Sequence, residues 1–446
     1  MKKIMLGAGL CASLALGATN EELQEQIDAL KTQMQSMQDE QAETNSAMLE
    51  EITRSRNGDV TASDEYTSFS SLGAAASKVY HSKDFLSIGG YGEYEYKKYV
   101  GYKNYDSDTA NTTRNKSEFN IVRFVPYIGF KFNDWIVMNT EIEFEDGGAR
   151  SDDTKNYKYA IVEFSYLDFL IDKAYALRVG HILVPMGLTN LNHEPVAYLT
   201  TERPTVETLV IPSTWHTNGA LLHGEIGGFE YYAGLVTSPD AGGFVEGRYI
   251  QQGRLGARQF TDDLSGVVRA SYSVASGFDI GASALYGQSS ILNESKPGDP
   301  LTGGNADISI TMAEAHATYS GYGLDIKTMA AFGALSGELA ELRAATGEQI
   351  SSEVNGQYLT VGYDLLHSFS TSHNLYLVGD IERLDMDADG VTDNPDNNRF
   401  MEYSGGLAYY PDPKVVIKAD YWIRDYGSGA NLADEQAVTV AAGFIF

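Results

Sequence analysis

The chain has 446 residues, with 61 Asp and Glu against 32 Lys and Arg, for a net charge of −29, and a single Cys. So acidic a balance argues against a phosphate-backbone partner such as nucleic acid, and one cysteine argues against a disulfide scaffold. Beyond the first residues no run reaches the roughly eighteen consecutive apolar residues of a membrane-spanning helix.

The start, "MKKIMLGAGLCASLALGATNEE", puts Lys2 and Lys3 before an apolar run from Ile4 and small residues at Ala15–Ala18. It reads as a secretory signal peptide, residues 1–18, cut near Gly17 or Ala18. A lipid anchor on Cys11 is the rival reading, disfavoured by bulky Leu10 and by the apolar run continuing past it.

Residues 19–54 change period. Leu23, Ile27, Leu30, Met34 and Met37 step by four and three among Glu, Gln, Lys and Asp, with no Gly or Pro. The spacing predicts a short periplasmic coiled coil; a lone amphipathic helix is the alternative. Residues 55–84 mix Ser, Gly, Asp and Ala and read as a linker with at most a short helix.

From Phe85 onward the helical period disappears. Sixteen candidate strands begin near Phe85, Phe119, Trp135, Tyr157, Tyr175, Trp215, Phe229, Ser265, Phe278, Ala306, Tyr322, Glu353, Asn374, Phe400, Val415 and Ala437. Short joints such as "FND", "IGG" and "SGYG" alternate with long polar loops near 101–118, 147–156, 186–214, 239–264, 290–305, 336–352, 387–399 and 427–436. An even number of strands with every second loop long is the pattern of a transmembrane antiparallel β-barrel with both ends periplasmic. The predicted fold is therefore all-β, a barrel of about 16 strands over 85–446, preceded by a short α-helical coiled coil.

The strands also divide by face. In "WIVMNTEIEFE", Ile136, Met138, Ile142 and Phe144 alternate with Asn139, Glu141, Glu143 and Glu145. A carboxylate facing lipid at mid-membrane costs a few kcal/mol, about 2–4 for a charged side chain, so the acidic face must meet water. The last segment carries Val438, Val440, Ala442, Phe444 and Phe446 on one face and reads as the closing strand, since lipid tolerates no open edge. Trp135, Tyr157, Tyr159, Tyr166, Tyr175, Tyr409, Tyr410 and Tyr421 lie near strand ends, where aromatic girdles would place them. A soluble sandwich could alternate too, but its second face would be a core and not a charged surface.

"LRVGHILVPMGLTNLNHEPVAYLTTERP" followed by "IPSTWHTNGALLHG" resembles the phosphate-selective porin family, through Arg178-Val179-Gly180, Pro185-Met186-Gly187-Leu188 and Trp215–Gly219. The resemblance covers the barrel, and a terminal Phe, here Phe446, is typical of barrels handled by the outer-membrane assembly machinery. It implies a homotrimeric channel in the outer membrane of a Gram-negative bacterium, in contact with lipid and lipopolysaccharide, passing small hydrophilic solutes. It also implies a third extracellular loop folded inward, here 186–214 with Asn190, Asn192, His193, Glu194, Glu202, Arg203 and Glu207 as the constriction.

The charges qualify the family's anion preference. An anion filter needs a ring or ladder of Arg and Lys. The inward positions offer Arg123, Lys131, Arg178, Lys418 and Arg424 against Glu93, Glu95, Glu141, Glu143, Glu145, Glu163, Asp364, Asp380, Glu382 and Asp420. Arg248, Arg254 and Arg258 add a positive loop patch or ordinary loop charges. The expectation is passive diffusion through a weakly cation-preferring or non-selective pore. The alternatives are an anion- or phosphate-selective porin, or a structural anchor or adhesin using the coiled coil.

"DMDADGVTDNPD" puts Asp385, Asp387, Asp389, Gly390, Asp393 and Asp396 at positions 1, 3, 5, 6, 9 and 12, with Val391 offering a carbonyl. That is the spacing of a calcium loop, although Asp396 stands where helix-flanked loops use Glu. The readings are a structural Ca2+ site or a solvated acidic loop, and no cofactor is otherwise required. His81, His181, His193, His216, His223, His316, His367 and His373 show no metal spacing and no local nucleophile motif. No enzymatic activity is expected; hydrolysis would need a Ser and a His to converge from distant positions.

Overall fold

The computed structural model describes residues 67–100, 117–147, 160–254, 256, 261–291 and 306–446, together with Gln24 and Lys31. The chain forms two units, Met1–Thr53 and Arg54–Phe446. In the first, Gln24 and Lys31 are helical. The signal-peptide reading, the rest of the coiled coil, Tyr157, Tyr159 and Arg258 lie outside the described residues.

Sixteen strands make up the second unit: β1 (Leu86–Tyr99), β2 (Ser117–Lys131), β3 (Ile136–Glu145), β4 (Ala160–Asp172), β5 (Tyr175–Leu183), β6 (His216–Ile226), β7 (Phe229–Thr237), β8 (Leu264–Ala275), β9 (Phe278–Ser289), β10 (Ile308–Gly321), β11 (Leu324–Gly337), β12 (Glu353–Asp364), β13 (Asn374–Asp385), β14 (Arg399–Asp412), β15 (Val415–Asp425) and β16 (Glu435–Ile445). Each pairs antiparallel with its sequence neighbours, and β16 returns to β1 to close the barrel. Beyond the last ladder pair, Phe446 N–H donates to Gly90 O at 2.9 Å and Gly90 N–H to Phe446 O at 3.0 Å. The terminal alternation is thus a paired seam with no free edge.

The two-residue side-chain period sets the wall. Along β3, Val137, Asn139, Glu141 and Glu143 are buried inside, while Ile136, Met138 and Ile142 face out. Large apolar side chains cover the outer surface, among them Ile88 (57% exposed), Leu235 (58%) and Leu377 (55%). In water such a surface would forfeit roughly 25 cal/mol per Å2; against lipid it forfeits nothing. Trp135, Tyr175 and Tyr421 do face outward. Tyr166 and Tyr410 do not: both are buried inside, Tyr166 against Phe164 and Tyr410 against Tyr376. Position near a strand end was a weaker guide than parity.

The short joints gather at one end, six of two to four residues and one spanning 365–373, and the long loops at the other. Among the described residues two of the long loops contain α-helices, α2 (Val206–Leu209) and α3 (Leu339–Thr346).

Residues 67–84 contain the short helix that the linker reading allowed, but they are packed against the barrel and do not run free. From Thr67 on this segment is packed, and it contains helix α1 (Ala74–His81), with Ala74, Ala75, Ala76, Ser77 and Val79 buried against β1, β2 and β3. Eight residues make a marginal helix alone, so its stability comes from the wall. Gly129 of β2 makes room for it: a Cβ there would lie 2.4 Å from Val79 Cβ.

Candidate functional site

The loop between β5 and β6, residues 184–215, folds into the barrel. Its neck is fixed by Asn190, whose amide donates to Val184 O (2.6 Å) and Trp215 O (2.9 Å) while its carbonyl accepts from Trp215 N–H (2.6 Å). Glu207 braces it internally, accepting the Leu188 and Thr189 amides at 2.7 and 2.6 Å and the Tyr358 hydroxyl of β12 at 2.7 Å.

From there the loop reaches strands on every side. Tyr198 donates to Glu93 of β1 (2.9 Å), and Lys97 of β1 pairs with Glu202 (2.5 Å). Thr201 donates to Asp420 of β15 through its amide (2.8 Å) and hydroxyl. Glu382 of β13 accepts the Thr205 and Val206 amides at the start of α2, both at 2.8 Å, and Thr205 Oγ1 donates to Glu402 of β14. Lys327 of β11 donates to Ala197 O and Arg269 of β8 to Gly187 O. On β3 and β4 the loop meets Glu141 and Glu163 through His193 and Thr214. Many of these partners are backbone amides and side-chain hydroxyls of the loop presented to wall carboxylates, which accounts for much of the buried acid: an ionised carboxylate is buried cheaply only where donors meet it.

The second inserted segment is 67–84. Glu194 of the loop accepts Ala75 N–H (3.1 Å) and Ala76 N–H (3.0 Å) at the first turn of α1. Lys131 of β2 donates to Tyr80 O (3.1 Å) and Ser82 O (2.6 Å) at its last turn, where helix carbonyls lack partners and a cation is favoured. Burial pushes the Glu194 carboxyl up to about 7, opposed by those backbone amides. It pushes the His193 imidazole down to about 4, opposed by the Glu163 carboxylate.

A serine and a histidine do converge here. Ser70 Oγ lies 3.0 Å from His223 Nδ1, and His223 Nε2 lies 2.8 Å from Asp168 Oδ1. Asp168 is already neutralised by Arg178, 2.9 Å away, and accepts the Tyr80 hydroxyl at 2.8 Å. The carboxylate is shared among Arg178, Tyr80 and His223, and this chain of contacts fastens the segment to β4 and β6.

Of the inward residues read from the sequence, Glu93, Glu95, Arg123 and Arg424 line an open cavity of ≈ 680 Å3 on the long-loop side of the inserted loop, with Glu202 and Arg203 facing it and Arg248 at its rim. Glu141, Glu143, Glu163, Glu382 and Lys418 are covered by the loop, Lys418 under the Tyr198 ring at 3.7 Å. Asp420 and Asp380 are held by Thr201 and Thr360. Lys131 and Arg178 fasten the 67–84 segment. Asp364 lines no passage: it caps the 365–373 turn through Leu366 N–H, Leu375 N–H and Asn374. Arg254 is turned to Thr214 O and Gln251 O. In the loop itself, Asn190 and Glu207 are internal braces, and His193 and Glu194 are buried with Asn192 Oδ1 beside them.

The aspartates with calcium-loop spacing are met by protein donors. Asp387 accepts the Val391 and Thr392 amides (2.9 and 3.0 Å), Asp389 accepts Ser351 and Ser352, and Asp385 pairs with Arg399 (2.8 Å). Asp393 accepts Gln349, and Asp396 lies 3.6 Å from Arg399. Each carboxylate is met by protein donors, and none belongs to the cluster of potential metal ligands found among the described residues. Sequence spacing could not show which donors would compete.

Sequence reading missed Ser70, Tyr80, Asp168, His223 and Glu402. A signal existed in Gly89 and Gly129, small residues on inward positions of β1 and β2: small residues in a wide lumen mark a close approach.

No family model matches the chain. An uncharacterized protein of Aquifex aeolicus (strain VF5) is 31% identical over 380 residues, covering 81% of this chain and 81% of that protein. Among solved structures, the outer membrane channel DcaP of Acinetobacter baumannii superposes with a TM-score of 0.51 at 11% identity, over 81% of this chain and 97% of that one. Pseudomonas putida OprB gives 0.51 at 10% identity, over 81% and 94%. At these identities the likeness is one of fold, the closed antiparallel barrel.

Proposed function

The chain belongs to the family of the uncharacterized Aquifex aeolicus protein, and from its closed, porin-like barrel we propose that it is an outer-membrane porin for passive diffusion of ions and small hydrophilic solutes. The observation that carries this reading is the barrel's division into an apolar outside and a charged inside, narrowed by loop 184–215. The short joints would face the periplasm and the long loops the exterior.

The open cavity supports a weakly cation-preferring or non-selective pore. Glu93, Glu95, Glu202 and Glu246 face it with Arg123, Arg203, Arg248 and Arg424. The arginines do not form a free anion ladder: Arg123 lies 3.4 Å from Glu93 and Arg424 2.5 Å from Glu402. The resemblance to phosphate-selective porins would thus extend to architecture more than to selectivity. Homotrimer assembly, contact with lipopolysaccharide, insertion by the barrel assembly machinery and a periplasmic coiled coil complete the proposal.

A second reading, a structural anchor, draws support from the two segments that occupy the lumen. Single-channel recording across a salt gradient separates them. Stepwise conductance with a small reversal potential of cation sign is expected. A strong anion sign would favour a phosphate-type channel, and silence from folded, heat-modifiable protein would leave the anchor.

A further inference from the structure

Glu141 of β3, Glu163 of β4 and His193 of the inserted loop meet inside the barrel, each buried. Glu163 is there because of a β-bulge: Glu141 pairs with Phe164 and Ile142 with Val162, so Glu163 has no partner across the ladder. Such a bulge re-aims a side chain, and here both Glu163 and Phe164 are buried.

The imidazole is oriented from behind. His193 Nδ1 lies 3.0 Å from the Asn190 carbonyl, an acceptor only, so Nδ1 carries the proton and Nε2 presents a lone pair. Nε2 lies 3.1 Å from Glu141 Oε1 and 3.5 Å from Glu163 Oε2. Glu163 Oε1 is occupied by the Thr214 hydroxyl at 2.6 Å, while Glu163 Oε2 and Glu141 Oε2 have no hydrogen-bond partner. With both carboxylates ionised, lone pairs face lone pairs at a buried point, an arrangement that a cation between them, or a shared proton, relieves.

We propose that Glu141, Glu163 and His193 form a binding site for a divalent transition-metal cation of the zinc class, joining the inserted loop to the barrel wall. One ligand atom from each residue lies within 4.8 Å of the others. Two ligands about 2.1 Å from one ion at tetrahedral or cis octahedral angles lie about 3.0–3.4 Å apart, close to the spacings found. An imidazole among the ligands disfavours Ca2+ and Mg2+, which take oxygen. Three protein ligands leave a position for water, and Asn190 O and Thr214 Oγ1 supply the outer contacts that such sites use. The ion would hold His193 to the wall and, through its neighbour Glu194, the loop to α1. The site itself does not depend on the channel reading; an effect on permeation does.

The test uses the full-length, tag-free protein, folded in detergent and freed of metal with a chelator, then titrated with Co2+ and Zn2+. One Co2+ per chain with a visible absorption spectrum, displaced by Zn2+, is expected. Glu163→Gln, which keeps the side chain's shape, and His193→Gln should each weaken Zn2+ binding at least about tenfold, with heat-modifiability showing the fold retained. If His193→Gln fails to fold, Glu163→Gln decides. No stoichiometric binding by the wild type overturns the proposal in favour of a shared proton. Binding unchanged in folded Glu163→Gln places the ion elsewhere and overturns it too. Conductance recorded on the same protein fails or succeeds separately, so the channel reading and the metal site can fall independently.

Discussion

Glu194 and Ala75, 119 residues apart in the chain, are joined by a 3.1 Å hydrogen bond in the lumen, and the same carboxylate takes the Ala76 amide. Two insertions that the sequence keeps far apart therefore hold one another. Glu194→Ala leaves both amides buried without an acceptor, which should destabilise the segment by about 1–3 kcal/mol. Protease sensitivity within 67–84 should rise, while the barrel stays heat-modifiable. Unchanged protection would mean the wall alone holds the helix.

Gly129→Val tests the wall side of the same contact. A Cβ would sit 2.4 Å from Val79 Cβ, and the rigid branched residue has no rotamer that avoids the helix. α1 should detach while β2 remains paired. A cysteine placed at Ala76, buried in the parent, should then react with a water-soluble maleimide.

Charge in the cavity should set the reversal potential. Glu202 and Arg203 both face it, and Glu202 is half-exposed. Glu202→Lys should move the potential toward anions and Arg203→Glu toward cations, each more strongly at low salt, because screening shortens with ionic strength. Equal potentials in both variants would place the selective region deeper.

Loop contacts at the long-loop end should respond to acid. Asp389 is raised by burial but lowered further by Ser351 and Ser352, so its carboxyl sits below the ordinary value near 3.8. A depressed native value means its contribution is complete above that pH and disappears as pH falls below it. The protection factor of the Ser352 amide, which donates to Asp389 at 3.1 Å, taken against intrinsic exchange at each pH, should be high at neutral pH and should fall as acid protonates the carboxylate. Asp389→Asn should show little of that change.

The barrel was legible because membrane and water impose opposite demands on alternate residues. All sixteen strands begin within three residues of their expected starts; the long loops followed from turn chemistry. A short helix within 55–84 was allowed by the sequence, but its packing was not legible, because Ala and Ser also make linkers and its partners Glu194 and Lys131 are distant in sequence. Aspartates 385–396 show the other limit: their spacing is local and legible, but the donors that meet them, Ser351 and Arg399 among them, come from outside that stretch. Pairing of His193 with Glu141 and Glu163 had no sequence spacing to announce it.

Loop 184–215 holds β1 through Glu93 and Lys97 and β15 through Asp420, and only β16 stands between those two strands. The seam where the first and last strands meet is therefore cross-tied from within. Parting β1 from β16 would first have to sever the Tyr198 and Thr201 ties, so the closure of the barrel rests on its contents as well as on its ladder.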